Sequence, residues 1–212
     1  MERSLKKRGR CHVFGDNIPL DEGVMAFKYA IGRITDPAQL IPHLFEGIDP
    51  GFAARVKPGD FVIAGRDFGC GKPHIQGFIA MAALDMGVLC ESMPTRPLRG
   101  AISKGLPVLV GCTGAAQFAA DGDDIEVDFA SGAAINHTRG TEASFPAMPA
   151  VLRDIVAHGG ANGTLAAWLD KHPDQRAAPG AASLLDAGTP VRFVRDPQSP
   201  SDAGQPARAG TQ

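Results

Sequence analysis

Residues 61–92 read "FVIAGRDFGCGKPHIQGFIAMAALDMGVLCES", and the assignment of the fold starts from this stretch. The run "FVIAG" is short, apolar and followed by a turn signal, which is typical of a buried strand. A glycine elbow, Gly69-Cys70-Gly71, then precedes a predicted helix over Ile75–Met86 that is apolar on nearly all sides. Gly87 ends the helix, and "VLCES" predicts a second strand. Strand, helix and strand in this order indicate a parallel α/β core.

The glycine elbow leads at once into Lys72, Pro73 and His74, which we expect to open the helix. Backbone N–H groups and the positive end of a helix dipole favour an anion at such a junction. The spacing matches neither the dinucleotide fingerprint, which needs a third glycine, nor a P-loop, which needs Gly-Lys-Ser/Thr. A tight turn that requires glycine dihedral angles accounts for the same residues equally well. The elbow alone therefore does not assign a ligand.

The flanking segments continue the alternation of strands and helices. "RCHVFG" (10–15) and "LPVLVGC" (106–112) predict strands, and "DGDDIEVDFASGAAINHT" predicts two strands around a Ser131-Gly132 turn. Asp36 and Asp49 each precede a proline, so both are predicted helix N-caps. Two further helices are expected near the end of the folded region, over Pro149–His158 and ending near Trp168-Leu169.

Composition narrows the class of protein. Hydrophobic residues make up 44% and charged residues 21% of the chain, which is ordinary for a soluble globular protein. The net charge of −2 lacks the excess of basic residues that is typical of nucleic-acid-binding proteins. No apolar run approaches the roughly 20 residues of a membrane span, and no signal peptide is evident. We therefore expect a cytoplasmic protein without nucleic-acid or membrane partners. The early basic residues are interpreted as a solvated N-terminal arm: Arg3, Lys6, Lys7, Arg8 and Arg10.

The cysteines and the C-terminal part of the chain limit the possibilities further. Cys11, Cys90 and Cys112, like Cys70, are far apart and form no C-x-x-C pair, so no metal site within this chain is expected. Residues 173–212 are rich in Ala, Pro and Gly and bury too little apolar surface to offset their ordering entropy. We predict a folded domain over 9–172 and a largely disordered extension over 173–212, in which only Thr189–Asp196 has strand character.

Together, four segments identify a resemblance to a known family. They are "VFGDNI" (13–18), "ITDPAQLIPHLFEGIDPGFAARVKPGDFVIAGRDFGCG", "AISKGLPVL" (101–109) and "DGDDIEVDFASGAAINHTRG". In this order they resemble the small subunit of isopropylmalate isomerase and the mobile C-terminal domain of aconitase. The resemblance implies an α/β fold of the swivelling β/β/α type.

The resemblance also implies a function shared between two chains. In that family a large subunit holds a [4Fe–4S] cluster through its own cysteines, and the small subunit supplies a base and groups that bind carboxylates. This chain would therefore bind no cofactor itself and would act with such a large subunit as a hydro-lyase. The substrate would be a hydroxy di- or tricarboxylic acid of the 3-isopropylmalate type. A non-catalytic scaffold or regulatory subunit of such a complex is the alternative.

The chemistry-bearing positions depart from the family pattern. Family members carry Ser-Ser-Arg-Glu after the elbow, with a serine base and an arginine for the substrate carboxylate, whereas this chain has Lys72, Pro73, His74 and Ile75. Of the family's Asp-Thr-Asp, Asp21 is retained. The family's Arg-Tyr pair corresponds to Lys28-Tyr29 if one residue is inserted, and Arg96 and Arg99 lie near its Ser-Phe-Ala-Arg turn. The expected catalytic residues are Lys72, His74 and Asp21; the expected substrate-binding residues are Gly69, Cys70, Gly71, Lys28, Arg96 and Arg99.

Three interpretations of the altered loop remain open. In the first interpretation the site is retuned: Lys72 provides the positive charge and His74 transfers the proton. A helix N-terminus disfavours the protonated forms of both residues, so a neutral imidazole can act as a base. A lysine would recognise a carboxylate less directionally than an arginine. Alternatively, the loop is inactive and the chain is a scaffold. In the third interpretation, Lys72 and His74 are simply exposed polar residues.

Overall fold

The computed structural model describes residues 3–176, which fold around one mixed seven-stranded sheet. The strands are β1 (Lys6–Val13), β2 (Phe61–Ala64), β3 (Gly87–Cys90), β4 (Val108–Val110), β5 (Asp124–Asp128), β6 (Ala133–Asn136) and β7 (Thr141–Ser144). The helices are α1 (Phe27–Ile31), α2 (Pro37–Leu40), α3 (Phe52–Arg55), α4 (Gln76–Ala83), α5 (Thr95–Ser103), α6 (Ala115–Phe118), α7 (Ala150–Ala157) and α8 (Ala161–Lys171). Short 3-10 turns cover Ile41–His43 and Pro173–Gln175.

The order of strands is β4-β3-β2-β1-β5-β6-β7, and β1 joins two different halves of the sheet. Its second half, Cys11–Val13, pairs in parallel with Phe61–Ile63 of β2, and β3 and β4 continue that parallel half. Its first half, Lys6–Arg10, pairs antiparallel with β5, and β6 and β7 continue as antiparallel neighbours. The predicted parallel core is confirmed for one half of the sheet, and the predicted late hairpin builds the other.

The expectation of a solvated N-terminal arm is wrong, because most of its basic residues lie on β1, which begins at Lys6 rather than Arg10. The side chains pair with acids across the sheet: Lys6 Nζ lies 2.7 Å from Glu126, and Arg8 lies 2.7 Å from Asp124. Opposite charges on facing strands stabilise such pairing. Lys7 points the other way, buries its side chain and contacts Asp85 at 2.5 Å. Most of the basic cluster therefore lies on the central strand of the sheet.

Two apolar clusters lie on opposite faces of the sheet, as the alternation along β2 shows. Val62 and Ala64 belong to one cluster, whereas Phe61 and Ile63 belong to the other. Successive side chains of a strand point to opposite faces. Because both faces are covered, every residue of β2 is buried, which explains its continuous apolar sequence.

Helix α4 is buried as predicted but begins later than expected. Lys72, Pro73 and His74 precede it, and the first helical bond at its N-terminus runs from the Ile79 N–H to the Ile75 carbonyl at 3.0 Å. The local reason is that a residue before proline, here Lys72, is pushed out of the helical region. The His74 N–H instead closes a tight turn onto the Lys72 carbonyl at 3.0 Å. His74 therefore lies on a loop rather than in a helical turn.

The two predicted N-caps have different outcomes. Asp36 caps α2, since its Oδ1 accepts the Ala38 N–H at 3.0 Å. Asp49 does not cap a helix at Pro50, because α3 begins at Phe52 with Gly51 as its N-cap. Asp49 instead accepts the Gly51 N–H at 3.2 Å and pairs with Arg55. Asp49-Pro50 therefore begins a turn rather than a helix.

Near the C-terminus, α7 and α8 form where two helices were predicted. Residues 177–212, including the segment Thr189–Asp196, lie outside the described part of the chain. Among residues 3–176, no helix is both long enough and apolar enough to cross a membrane.

Candidate active site

Loops that follow β1, β2 and β3 meet at the carboxyl edge of the parallel half of the sheet. The Gly65 N–H bonds to the Gly15 carbonyl at 3.2 Å, and the Glu91 N–H bonds to the Gly65 carbonyl at 3.1 Å. Asp16 adds a charged link, since its carboxylate accepts the Arg66 backbone N–H at 2.8 Å and two guanidinium N–H groups. Ligands of open α/β sheets bind at this edge. The candidate site therefore lies at the edge of the sheet where this topology favours ligand binding.

The glycine elbow is built as a tight turn, and part of its hydrogen-bonding capacity is used internally. Gly69 has φ +82° and Gly71 has φ +83°, values that favour glycine. The Gly69 N–H donates to Ile18 at 2.7 Å, and the Cys70 N–H donates to Asp67 at 3.1 Å. Among residues 3–176, the Gly71 N–H donates no hydrogen bond. The elbow thus offers an anion fewer donors than a full backbone cradle would.

His74 and Asp21, both predicted catalytic residues, form a close pair at this edge. The His74 Nδ1 lies 2.8 Å from each carboxylate oxygen of Asp21, although the two residues are 53 positions apart. Their side chains are 37% and 20% exposed, so the pair is accessible. A carboxylate at Nδ1 selects the tautomer with a proton on that nitrogen. Within the described residues, Nε2 has no protein partner and is available for proton transfer.

A short turn of the chain places Asp21 beside the elbow. The Leu20 N–H bonds to the Cys70 carbonyl at 3.2 Å, which ties the turn to the elbow. The Val24 N–H bonds to the Pro19 carbonyl and the Met25 N–H to the Leu20 carbonyl, both at 3.0 Å, which closes the turn on itself. Asp21 therefore sits on backbone that is fixed from two sides.

Lys72 and His74 share a contact that the sequence did not predict. The ring centroids of Phe27 and His74 are 4.9 Å apart, and the Lys72 Nζ lies 6.0 Å from the centroid of the Phe27 ring. Phe27 immediately precedes Lys28, a predicted substrate-binding residue. This neighbouring position is the one sequence signal that could have pointed to Phe27. Without the tertiary structure, an isolated phenylalanine at the start of a helix is read as a core residue.

The predicted carboxylate-binding residues are not all brought together. Helix α5 packs its first turns on the loop: a Cβ on Gly69 would lie 3.1 Å from Pro97, and one on Gly100 would lie 3.2 Å from Ile75. Arg96 lies in the first turn of α5 and is exposed. Arg99 instead lines a groove with α7 and α8, formed with Leu98, Ile102, Leu152, Ile155 and Ala161.

Lys28 is exposed and engaged with a neighbouring acid. Its Nζ lies 3.6 Å from Glu46, whose carboxylate also contacts His43 Nδ1 at 2.6 Å. The hydrogen bond from His43 and the charge of Lys28 lower the pKa of Glu46. Lys28 is thus one residue from Phe27 but already has a carboxylate partner. Any substrate that it binds would compete with Glu46.

The cysteines differ in their surroundings. Cys70 is partly exposed in the elbow, whereas Cys11, Cys90 and Cys112 are buried. Burial raises the pKa of each of these three thiols to about 12. Residues 3–176 contain no group of three or more His, Cys, Asp or Glu side chains placed to hold a metal ion. The part of the chain that the structure describes therefore offers no set of side chains for an iron–sulfur cluster.

Comparison with known proteins identifies the family. No protein-family model matches the chain. The small subunit 1 of 3-isopropylmalate dehydratase from Archaeoglobus fulgidus is 38% identical over 153 residues, which cover 72% of this chain and 92% of that protein. The chain belongs to the 3-isopropylmalate dehydratase small-subunit family. The isopropylmalate/citramalate isomerase small subunit of Methanocaldococcus jannaschii, a further relative, is 32% identical over 74% of this chain and 92% of its own length.

A solved structure agrees with this membership in a family of hydro-lyase subunits. The crystal structure of 3-isopropylmalate dehydratase from Methanocaldococcus jannaschii matches with a TM-score of 0.72 and 28% sequence identity. The match covers 81% of this chain and 99% of that one. The predicted α/β fold of the swivelling β/β/α type is confirmed. This member of the dehydratase small-subunit family therefore carries Lys72 and His74 in the loop after its glycine elbow, and His74 pairs with Asp21 of the turn after β1.

Proposed function

We propose that this chain is the catalytic small subunit of a heteromeric hydro-lyase in the cytoplasm. The complex would dehydrate and rehydrate a hydroxy di- or tricarboxylic acid of the 3-isopropylmalate type. The observation that carries the proposal is the His74–Asp21 pair, which has an accessible ring nitrogen and lies beside Lys72. In the proposed complex, a large subunit would complete the site.

His74 transfers the proton in this proposal. The Nε2 of His74 accepts the proton from a substrate carbon, and the electron pair of that C–H bond becomes the new C=C bond as hydroxide leaves the adjacent carbon. Asp21 holds the imidazole by Nδ1 and fixes its orientation, as expected of an oriented general base. Rehydration of the alkene reverses these steps. The imidazole thereby takes the role of base that the resemblance assigns to a serine.

Lys72 and Arg96 bind the substrate carboxylates in the same proposal. Lys72 has no ion-pair partner among residues 3–176, and it precedes His74 by two positions on the loop. Arg96 is exposed on α5, and it also has no ion-pair partner among those residues. A guanidinium binds a carboxylate with two parallel hydrogen bonds, whereas an ammonium acts as a point charge. Arg96 would therefore set the orientation of the substrate and Lys72 would contribute mainly charge.

The large subunit would hold the [4Fe–4S] cluster, as the family resemblance implies. When bound there, the cluster supplies a Lewis acid for the substrate hydroxyl. The residues of the small subunit have the separate tasks of binding the carboxylates and moving the proton. The carboxyl edge of the parallel strands would face the partner, since the reacting groups of both chains must meet at one substrate.

The experiment that tests this function is anaerobic co-expression with the large subunit encoded beside it. Hydration would be measured on isopropylmaleate, citraconate, cis-aconitate and dimethylmaleate, with wild type and His74→Ala. We expect turnover of one of these diacids by the wild type and its loss in the variant, while the complex still forms. A stable, cluster-loaded complex that is silent on all four would instead favour a scaffold subunit. Unchanged turnover in His74→Ala would remove His74 from the mechanism.

A further inference from the structure

Phe27 contacts both polar side chains of the loop that follows the elbow. Its ring lies 4.9 Å from that of His74, with 37° between the two planes, and the Lys72 Nζ lies 6.0 Å from its centroid. Aromatic pairs at such distances stabilise one another, and an ammonium within about 6 Å of a ring centroid is attracted to it. One phenylalanine thus sits against two groups of the proposed machinery.

Phe27 is not explained as a core residue. Tyr29, two residues later, packs against the main apolar cluster, whereas Phe27 belongs to neither of the two clusters on the sheet. The ring is only partly buried. Its ring makes an aromatic contact with His74 and a cation–π contact with Lys72. A phenylalanine placed for stability alone would be expected to bury its ring among apolar neighbours.

The backbone of Phe27 is fixed by the same turn that carries Asp21. The Phe27 N–H donates to Glu22 Oε1 at 3.0 Å, and the Glu22 N–H bonds to the Met25 carbonyl at 3.0 Å. One short segment therefore presents a carboxylate to the Nδ1 edge of His74 and a benzene ring to the same imidazole. A ring held only at Nδ1 can still pivot about that hydrogen bond, and a second contact restricts this motion.

We infer that Phe27 is a positioning residue that holds the His74 imidazole and the Lys72 ammonium in one fixed arrangement. The inference rests on the proposed function, because the arrangement matters for turnover only if these groups act on the substrate. Small losses of alignment at reacting groups cost up to about 100-fold in rate. Phe27→Leu is therefore expected to lower kcat by roughly 10- to 100-fold, with a smaller effect on KM through Lys72. Phe27→Tyr, which keeps the ring, is expected to restore most of the rate.

The first test measures positioning directly in the full-length chain. Three-bond couplings that report χ1 of His74 would be recorded by NMR for wild type, Phe27→Leu, Phe27→Tyr and Phe118→Leu. Phe118 is the matched control, since its ring packs against Phe145 on the other face of the sheet. We expect a single rotamer in wild type, Phe27→Tyr and the control, and rotamer averaging in Phe27→Leu. A His74 side chain that stays fixed in Phe27→Leu would overturn the inference.

The second test separates this inference from the proposed function. kcat, KM and the pH dependence of kcat would be measured for the same variants in the complex with the large subunit. A lowered kcat with an altered pH profile in Phe27→Leu, but not in Phe118→Leu, supports the positioning role. If the wild-type complex turns over none of the four diacids, the proposed function fails whatever the NMR shows. If His74→Ala leaves turnover intact, the proposed role of His74 fails. If His74→Ala is inactive but Phe27→Leu has wild-type kinetics, only the inference about Phe27 fails.

Discussion

The Nδ1 of His74 lies 2.8 Å from both carboxylate oxygens of Asp21, and this pairing joins the loop after the glycine elbow to the turn after β1. By the family resemblance, Asp21 corresponds to an acid of the family pattern, and His74 is one of the residues that replace its serine and arginine. On that correspondence, a retained carboxylate has a new partner. The exchange of residues in the loop is therefore accompanied by a coherent local geometry, which is what a retuned site requires.

Asp21→Asn is expected to lower kcat by at least about 10-fold, because general acid–base catalysis contributes roughly 10²- to 10⁴-fold and depends on the orientation of the base. The asparagine amide can donate to Nδ1, which would favour the wrong tautomer of His74. Steady-state hydration assays of the complex would measure this. The control is Asp67→Asn, since Asp67 lies near the elbow, has φ +56° and tolerates asparagine there. Equal losses in both variants would contradict a specific role for Asp21.

The local parts of the fold could be predicted from the sequence because their signals are local. The buried run of β2, the glycine elbow and the apolar helix α4 each follow from neighbouring residues. The start of α4 was misplaced because the effect of Pro73 on Lys72 outweighs helix periodicity. The basic N-terminal residues were misread because their acids are distant in sequence: Arg8 and Asp124 are 116 positions apart.

The residues of the candidate site also divide into those that could be predicted from the sequence and those that depend on tertiary packing. Lys72, His74 and Asp21 were identified through the family resemblance, and the structure places them at one edge of the sheet. Phe27 could not be identified in that way, because its contacts exist only once the turn after β1 folds over the loop after β2. The side of α5 on which Arg99 lies was equally hidden, since it depends on the packing of α7 and α8 against that helix.

Thiol reactivity in the native protein should separate Cys70 from the other cysteines. A thiol must ionise to react, and a pKa of about 12 leaves Cys11, Cys90 and Cys112 almost wholly protonated near pH 8. We expect one thiol to react rapidly with a disulfide reagent in native buffer and four to react in denaturant. Cys70→Ser should abolish the rapid phase. A rapid phase that survives this substitution would show that a buried cysteine becomes exposed.

Acid should destabilise the fold partly through Asp123. Hydrogen bonds from the Asn136 side chain and the Ala120 N–H, together with the charge of Arg139, lower the pKa of this carboxyl. Because the folded-state pKa lies below the unfolded value, the contribution to stability is complete above the unfolded pKa of about 3.9 and is lost as the pH falls through the folded pKa. Asp123→Asn should be less stable at neutral pH but lose less stability in acid.

Urea unfolding at neutral pH and at about pH 3 would measure that difference for wild type and Asp123→Asn. Asp154→Asn provides a comparison, since Asp154 is exposed on α7. The prediction concerns the slope of stability against pH, so a general loss of stability in the variant does not mimic it. Parallel acid profiles for wild type and Asp123→Asn would contradict the assignment.

Gly77→Ala should destabilise the packing of α4 against the turn that carries Asp21. A Cβ at position 77 would lie 2.4 Å from the Cγ1 of Val24, which is closer than real Cβ contacts allow. The backbone cannot yield easily, because the Val24 N–H bonds to Pro19 and the Phe45 N–H bonds to the Val24 carbonyl. Overpacking of this kind costs about 1–3 kcal/mol. The free energy of unfolding from denaturant titration would measure it.

Because Val24→Ala removes the opposing methyl groups, the double variant should be more stable than the sum of the two single effects predicts. Strict additivity would mean that the two side chains do not meet.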